Sequence, residues 1–319
     1  MSIQTLSVLD HTWHIVANPH ACEEKSMNQW DLLSSRFDAA GVRFVLHEAD
    51  AEATCRENAR RLCVEGCRHL MVIGGDGTVN EVVNGIMESG ADVSDLCLAV
   101  MPLGRGNDWA RTHNYPKKID ECVEMFLRGR FMRHDIGRVQ TLRENAPVAT
   151  RYFVNIAGFG FDAEVIYDTV YNKPHFMGIS VYILSLLRCI FRYKSTPVEI
   201  VSLDMAYQGE TFLMVAGVCQ YNGGGIRQAP EAQPDSGRFH VVVIPKISKA
   251  KAFSLMPYMF SGRHIEKSKG FVKSFRTNQL TLKVAELYRG EVEGELLETG
   301  DYQITMLPGA FQMLTNRED

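Results

Sequence analysis

The sequence contains no C-x-x-C pair: its eight cysteines, at positions 22, 55, 63, 67, 97, 122, 189 and 219, are scattered and mostly embedded in apolar stretches. That spacing excludes a disulfide framework and a zinc ribbon, and reads as reduced, buried thiols in a reducing compartment. A large charge excess is also missing. The 34 basic residues against 38 acidic ones leave a net charge of −4, so there is no global nucleic-acid signature, and an anionic ligand must be met by a local patch. The most hydrophobic window, Ile179–Leu187, is closed by Arg188 and Arg192 and falls short of the ~20 residues that span a bilayer. Residues Met1–Asp10 lack the basic flank and long apolar core of a signal peptide. These absences lead us to expect a cytoplasmic protein, soluble or peripheral to a membrane, with no nucleic-acid partner.

What is present is an ordinary globular composition, 45% apolar, over 319 residues, enough for roughly two domains of ~150 residues each. The chain is organised around His69–Glu81, where the apolar run His69–Ile73 breaks into Gly74-Gly75-Asp76-Gly77-Thr78 and resumes with helical spacing. It reads as strand, tight loop and helix, with Thr78 and Glu81 forming a capping box. A helix that starts at a side-chain-free loop presents free N–H groups and a positive dipole end, a site for phosphate. Asp76 beside phosphate implies an intervening cation such as Mg²⁺, or proton-transfer chemistry. The plainer reading, a glycine turn with a solvated Asp, stays open on these residues alone.

Before this stretch lie a strand at Trp13–Ala17 ending at Asn18-Pro19, a helix over 22–40, a strand at Val42–Leu46 and a helix through Ala51, Cys55, Ala59, Leu62 and Cys63. Alternating strands and helices imply a parallel, doubly wound α/β sheet, whose ligands sit at the carboxyl ends of its strands. The strand Leu96–Val100 leads to a second glycine loop, Pro102–Asp108, whose Arg105, Asn107 and Asp108 either meet the ligand near Asp76 or cap the next helix. A further helix covers 118–128. The polar stretch Gln140–Thr150 is the best domain boundary, giving an α/β nucleotide-binding domain over 1–140 and a β-rich domain over 141–319. The second domain has many short strands, interrupted by helices near 162–172 and 178–193, and reads as an antiparallel sandwich or barrel. Residues 246–276 hold eight cations against Glu266, with aromatic and aliphatic residues between, which suits an anionic membrane surface or a solvated helix face. Glu291, Glu293 and Glu295 cluster around Gly294, where like charges raise one another's pKa.

Taken together, these segments resemble the diacylglycerol kinase catalytic-domain family, bacterial-type lipid kinases related to sphingosine kinases. The carriers are Asn18-Pro19, Gly74–Thr78 with Asn80-Glu81, Pro102-Leu103-Gly104 with Gly106-Asn107-Asp108, Asp135, Phe153–Asn155 with Gly158–Asp162, Gly223–Gly225 and Gly294-Glu295. The resemblance implies a first domain similar to NAD kinases and phosphofructokinases and a C-terminal β-rich sandwich, with the last residues returning to the first domain. It implies transfer of the γ-phosphoryl group of ATP to a lipid hydroxyl, with the nucleotide between the two domains. Gly74, Gly75, Gly77 and Thr78 would line the phosphates, and Asn18, Glu81, Gly104, Arg105, Asn107 and Asp108 would complete the nucleotide site. Asp76 would engage Mg²⁺, and Glu295 would be the general base. The implied partners are a lipid substrate and a membrane surface; a homodimer stays open.

Four positions depart from the family pattern: Arg105 stands where Thr is usual, Glu293 replaces the first acid of Asp-Gly-Glu, His47 stands at an expected threonine, and Ser236 replaces an acid beside Asp235, a candidate accessory metal ligand. The alternatives are a soluble-substrate kinase of NAD kinase type, and a nucleotide- or lipid-binding regulator without catalysis.

Overall fold

The apolar runs that mark the first half of the chain are short and bounded by glycine, proline or polar residues, the pattern of strands buried on both faces. In the computed structural model, which describes residues 3–18, 25–171, 179–285 and 288–318, and only the backbone at 25–29 and 179–184, they become such strands. Pro19, Cys22 and the start of the helix expected from 22 lie outside the described residues. The chain divides into two units, Met1–Ile136 with Leu307–Asp319, and Gly137–Met306.

Unit 1 contains β1 (Gln4–Thr5), β2 (Thr12–Ala17), α1 (Lys25–Ala40), β3 (Arg43–Glu48), α2 (Cys55–Val64), β4 (His69–Gly74), α3 (Asp76–Glu88), β5 (Cys97–Pro102), α4 (Asp108–Thr112), α5 (Ile119–Arg128) and the first half of β6 (Arg130–Arg143). Strands β3, β2, β4 and β5 pair in parallel in that order, and the late residues Gln312 and Met313 add a parallel neighbour to β5. Alternation along β4 turns Met71 and Ile73 into a core with Trp13, Phe37 and Phe126. Leu70 and Val72 point to the opposite sheet face. Helices α2 and α3 pack closely because Gly85 carries no side chain; a Cβ there would collide with the Arg56 carbonyl.

Unit 2 contains the rest of β6, β7 (Ala146–Phe153), β8 (Ile156–Gly160), α6 (Phe161–Tyr171), α7 (Ile179–Arg192), β9 (Thr196–Ser202), β10 (Ala206–Gly217), β11 (Phe239–Pro245), α8 (Lys249–Phe260), α9 (His264–Lys267), β12 (Lys273–Thr277), β13 (Gln279–Val284), β14 (Gly290–Val292), β15 (Glu295–Leu296) and the start of β16 (Asp301–Leu314). The polar stretch Gln140–Thr150 is a β6–β7 hairpin, its turn made by Glu144 and Asn145, both at positive φ. A tight hairpin turn and a linker draw on the same polar residues, so composition does not separate them. Strand β10 serves two sheets. Its first half pairs with β9, which continues to β13 and β16; after a bulge between Thr211 and Leu213 its second half pairs with β8 and β11. Met214 and Ala216 face the sandwich core with Phe159, Phe239 and Ile304. Leu213 and Val215 face a second core made with α6, α7 and α8.

The end of β16 belongs to unit 1, where Met313 and Leu314 are fully buried and the Tyr115 hydroxyl donates to the Leu314 carbonyl at 2.9 Å. Nearby, Trp109 Nε1 donates to His134 Nε2 at 3.2 Å while His134 Nδ1 donates to the Asp135 carbonyl at 2.6 Å, so this buried imidazole is held neutral. Burial pushes the His134 pKa down to about 4, and burial with the neighbouring His134 pushes His113 down as well. Between pH 6.5 and about 4 the unfolded chain binds protons that the folded chain refuses. The histidine contribution to stability is therefore complete above 6.5 and falls as pH drops through that window, by the order of 3 kcal/mol from His134 alone. Urea midpoints measured across the window check this; a flat profile contradicts it.

Candidate active site

The sheet of unit 1 brings the sequence-derived nucleotide residues to one edge. Ala17 pairs with Ile73 and Gly74 with Pro102, so Asn18, Gly74 and Pro102 stand side by side at the carboxyl ends of β2, β4 and β5. The two glycine loops then meet backbone to backbone. Leu103 N donates to the Gly74 carbonyl at 3.1 Å, and a Cβ on Gly104 would collide with Gly75 Cα. Asp76 closes the junction: its Oδ1 accepts the Trp109 amide at 3.1 Å. The other carboxylate oxygen, Oδ2, makes no hydrogen bond or ion pair among the described residues.

Helix α3 starts one turn earlier than the capping-box pattern implies. Its N-cap is Gly75, with no side-chain cap, and Asp76 and Gly77 are already helical. The loop amides are thus left to a ligand or solvent. Thr78 is inside the helix and buried, its Oγ1 lying 2.5 Å from where a Gly74 Cβ would sit. Glu81 stands beside Cys55 on α2, where, after burial, its carboxylate helps to push the thiol up. The capping box of this region belongs to α2, between Thr54 and Glu57.

In the second loop Asn107 is the N-cap of α4 in the left-handed conformation, φ 51°, but its side chain does not cap. Nδ2 donates to the carbonyls of Gly104 (2.7 Å) and Pro102 (3.2 Å), which holds the loop and fixes the amide's orientation. Oδ1 is left buried without a hydrogen-bond partner, 4.0 Å from where a Gly75 Cβ would sit. Asp108 is buried and ion-paired with Arg111 at 3.3 Å, and Arg105 is exposed. A cavity of about 340 Å³ opens under this loop, lined by Pro102, Leu103, Arg105, Asn107, Arg111 and Lys117 among others. Its volume and its three cations suit an anionic ligand of moderate size.

Unit 2 gives three different environments to the carboxylates around Gly294. Glu293 and Gly294 form the two-residue turn between β14 and β15, with φ of 51° and 93°. Glu293 Oε1 accepts the amides of Val154 (2.7 Å) and Asn155 (2.6 Å), where the expected strand Tyr152–Ala157 breaks into β7 and β8. Glu295 is half-exposed and pairs with Arg151 at 3.4 Å. Glu291 shows the raised pKa expected of the cluster, first because it is buried and second because it faces Asp162 on α6. Asp235 lies on a turn that Ser236 closes, its hydroxyl 3.0 Å from the carbonyls of both Gln233 and Arg238.

One feature escapes the sequence. Phe161, Leu186, Ile190, Phe212, Met256 and Phe260 surround a slot of about 40 Å³ whose only polar lining residues, among the described ones, are Asp162 and Gln228. Its walls come from α6, α7, α8 and β10, so no local pattern announces it. Outside it, Phe191, Tyr258 and Phe260 are exposed, with the Lys249 ammonium on the Phe191 carbonyl and Lys251 3.5 Å over the Phe271 ring.

Two family models match the chain. The diacylglycerol kinase catalytic domain matches residues 12–139, and the YegS C-terminal NAD kinase beta sandwich-like domain matches residues 155–315. A diacylglycerol kinase of Staphylococcus carnosus is 27% identical over 291 residues, covering 89% of this chain and 90% of its own. That of Bacillus subtilis is 26% identical over 299 residues, 93% and 91% of the two chains. The crystal structure of a Bacillus anthracis diacylglycerol kinase superposes with a TM-score of 0.70 at 18% identity, over 96% of this chain and 97% of that one. The chain belongs to the diacylglycerol kinase catalytic-domain family. It pairs the α/β catalytic domain with the NAD kinase-like β sandwich, and the family is one of kinases.

The contact between Gly75 and Gly104 yields a direct check. Gly104→Ala forces the loops apart and destabilises the protein by about 1–3 kcal/mol in urea unfolding; an unchanged midpoint would show that the loops are not in backbone contact.

Proposed function

We propose that the protein is an ATP-dependent lipid kinase that transfers the γ-phosphoryl group to a lipid hydroxyl, as the names of its curated relatives suggest. The observation that carries the lipid reading is the slot of unit 2: every described lining residue is apolar except Asp162 and Gln228. At about 40 Å³ it is closed down, and an acyl chain enters by moving the unbranched Met256 and Met259 side chains and the exposed Phe260. The exposed aromatics of α7 and α8, with Lys249 and Lys251, would rest on an anionic membrane surface, a peripheral attachment. No helix among the described residues is long and apolar enough to cross a membrane.

In unit 1 the uncapped amides of α3 and the loop of Gly74, Gly75 and Gly77 would hold the phosphates of ATP, with Arg105 and Arg111 supplying charge and Asn107 Oδ1 accepting from the nucleotide. Asp76 fits Mg²⁺. One of its oxygens is committed to Trp109 and the other has no partner among the described residues, which suits a phosphate-bridged Mg²⁺, since that ion takes one or two carboxylates and leaves its remaining positions to water and phosphate. Bound there, Mg²⁺ would neutralise charge on the phosphates. Glu295, exposed on β15, would accept the proton of the lipid hydroxyl, and Arg151 would hold its carboxylate in place.

Incubation with labelled ATP, Mg²⁺ and anionic vesicles containing diacylglycerol, monoacylglycerol, long-chain base or ceramide tests the reading. Labelled lipid is the expected product. Label appearing only in the aqueous phase when NAD is supplied would instead indicate a soluble acceptor. Glu295→Gln and Asp76→Asn should each lower kcat by about 100-fold or more. Charge reversal at Lys249 and Lys251 should weaken vesicle binding while leaving nucleotide binding intact.

A further inference from the structure

The carboxyls of Asp162 and Glu291 meet inside unit 2, in a place that the proposed chemistry does not use. Asp162 is in the first turn of α6, and Glu291 is the middle residue of β14; both are buried. Their oxygens converge above Gly158, where a Cβ would collide with Asp162 Oδ2 and lie 2.6 Å from Glu291 Oε1. Glycine at 158 therefore leaves room for the pair.

The surrounding groups are donors. Asn222 Nδ2 donates to Asp162 Oδ2 at 3.1 Å and to Glu291 Oε1 at 3.3 Å, while its own carbonyl accepts the Gly223 amide at 2.9 Å, which fixes the orientation. Gln228 Nε2 donates to Asp162 Oδ1 at 3.1 Å, and Gly294 N donates to Glu291 Oε2 at 2.7 Å. Amide hydrogens pointing inward are wrong for a metal ion, which needs their carbonyl oxygens. The other charged groups nearby are occupied elsewhere: Glu164 on α6 pairs with Arg289 before β14 at 2.9 Å, Glu293 in the turn caps the Val154 and Asn155 amides, and Glu295 on β15 pairs with Arg151. No Lys or Arg touches either buried carboxyl among the described residues. Two buried carboxylates without a cation cannot both be ionised, so they hold one proton between them.

We propose that Asp162 and Glu291 form a proton-sharing clasp that pins the Glu293–Gly294 turn to the start of α6 and thereby positions the Glu295 carboxylate. The chain of contacts is short: Asp162 holds Glu291, Glu291 holds the Gly294 amide, and Gly294 directly precedes Glu295. Burial raises both carboxyls above the usual range; the charge of Asp162 raises Glu291 further, while hydrogen bonds from Gln228, Glu291 and Asn222 hold Asp162 back, so the shared proton rests on Glu291. When the shared proton leaves, two like charges occupy one buried site and repel, and Glu291 moves away from Asp162 and carries with it the turn it holds through the Gly294 amide. Asp162 also lines the apolar slot, so the clasp joins the slot wall to the hairpin. The positioning role rests on the reading of Glu295 as the base.

The clasp itself is testable without any assay of lipid phosphorylation. Infrared spectra at neutral pH should show the carbonyl band of a buried protonated carboxylic acid in the wild type. The band should vanish in Glu291→Gln and in Asp162→Asn, and its absence from the wild type overturns the proposal. A group whose folded pKa is raised stabilises fully below its unfolded value, and that stability is lost as pH rises through the folded value. Wild-type stability should accordingly fall on the alkaline side, and the two variants should lack that slope. In the kinase assay, Glu291→Ala should lower kcat about tenfold or more with KM for ATP unchanged. Glu291→Gln, which keeps a hydrogen donor towards Asp162, should recover most of that rate and lose the alkaline fall in kcat. An alkaline fall identical to wild type in Glu291→Gln overturns the positioning role. Failure of the wild type to phosphorylate any lipid, with the infrared band present, counts against the kinase reading and leaves the clasp standing.

Discussion

The carboxyl edge of unit 1 depends on how closely two stretches of backbone approach one another. At Gly75 and Gly104 the chains are in van der Waals contact along their main chains, and a single methyl group on Gly104 would separate them. That closeness lets the Asp76 carboxylate reach the Trp109 amide and turns two loops at neighbouring strand ends into one surface. It also leaves the first amides of α3 without a side-chain cap. Loops that come this close have room at the junction for main chain only, which is why glycine marks both of them.

The sequence shows the first unit well because each of its strands is a short apolar run ending where a turn residue forces an end. It shows the glycine loops for the same reason: the residue type is itself the constraint. What it does not show is the join between the loops. The Trp109–Asp76 bond uses a main-chain donor, and every residue except proline carries one, so nothing in the residue letters singles out Trp109. The start of α3 is misread for a related reason. Thr78 and Glu81 match a capping pattern, but an extended glycine can begin a helix without side-chain help, and Thr78 is needed as packing over Gly74.

The three carboxylates around Gly294 carry the same lesson in the second unit. They are two residues apart in sequence and look like one acidic turn. A two-residue turn at positive φ sends them to three destinations, a buried carboxyl partner, a pair of backbone amides and a half-buried arginine. Sequence neighbours need not share an environment where the chain reverses. Asp162, which shares one with Glu291, is about 130 residues away and stands in the sequence as an ordinary helix-start acid.

Strand β16 has a consequence for the order in which the protein is made. Unit 1 leaves the ribosome first, but its sheet lacks the strand beside β5 until residues 307–314 arrive, after the 170 residues of unit 2 (306 − 137 + 1) have been synthesised. At ordinary elongation speeds that delay is roughly 10–30 s. Throughout it, the β5 edge, with its unpaired amides and carbonyls beside Leu98 and Val100, is open to any other nascent strand. Unit 1 is thus begun first and finished last, and its quality control during synthesis has to watch the far end of the chain.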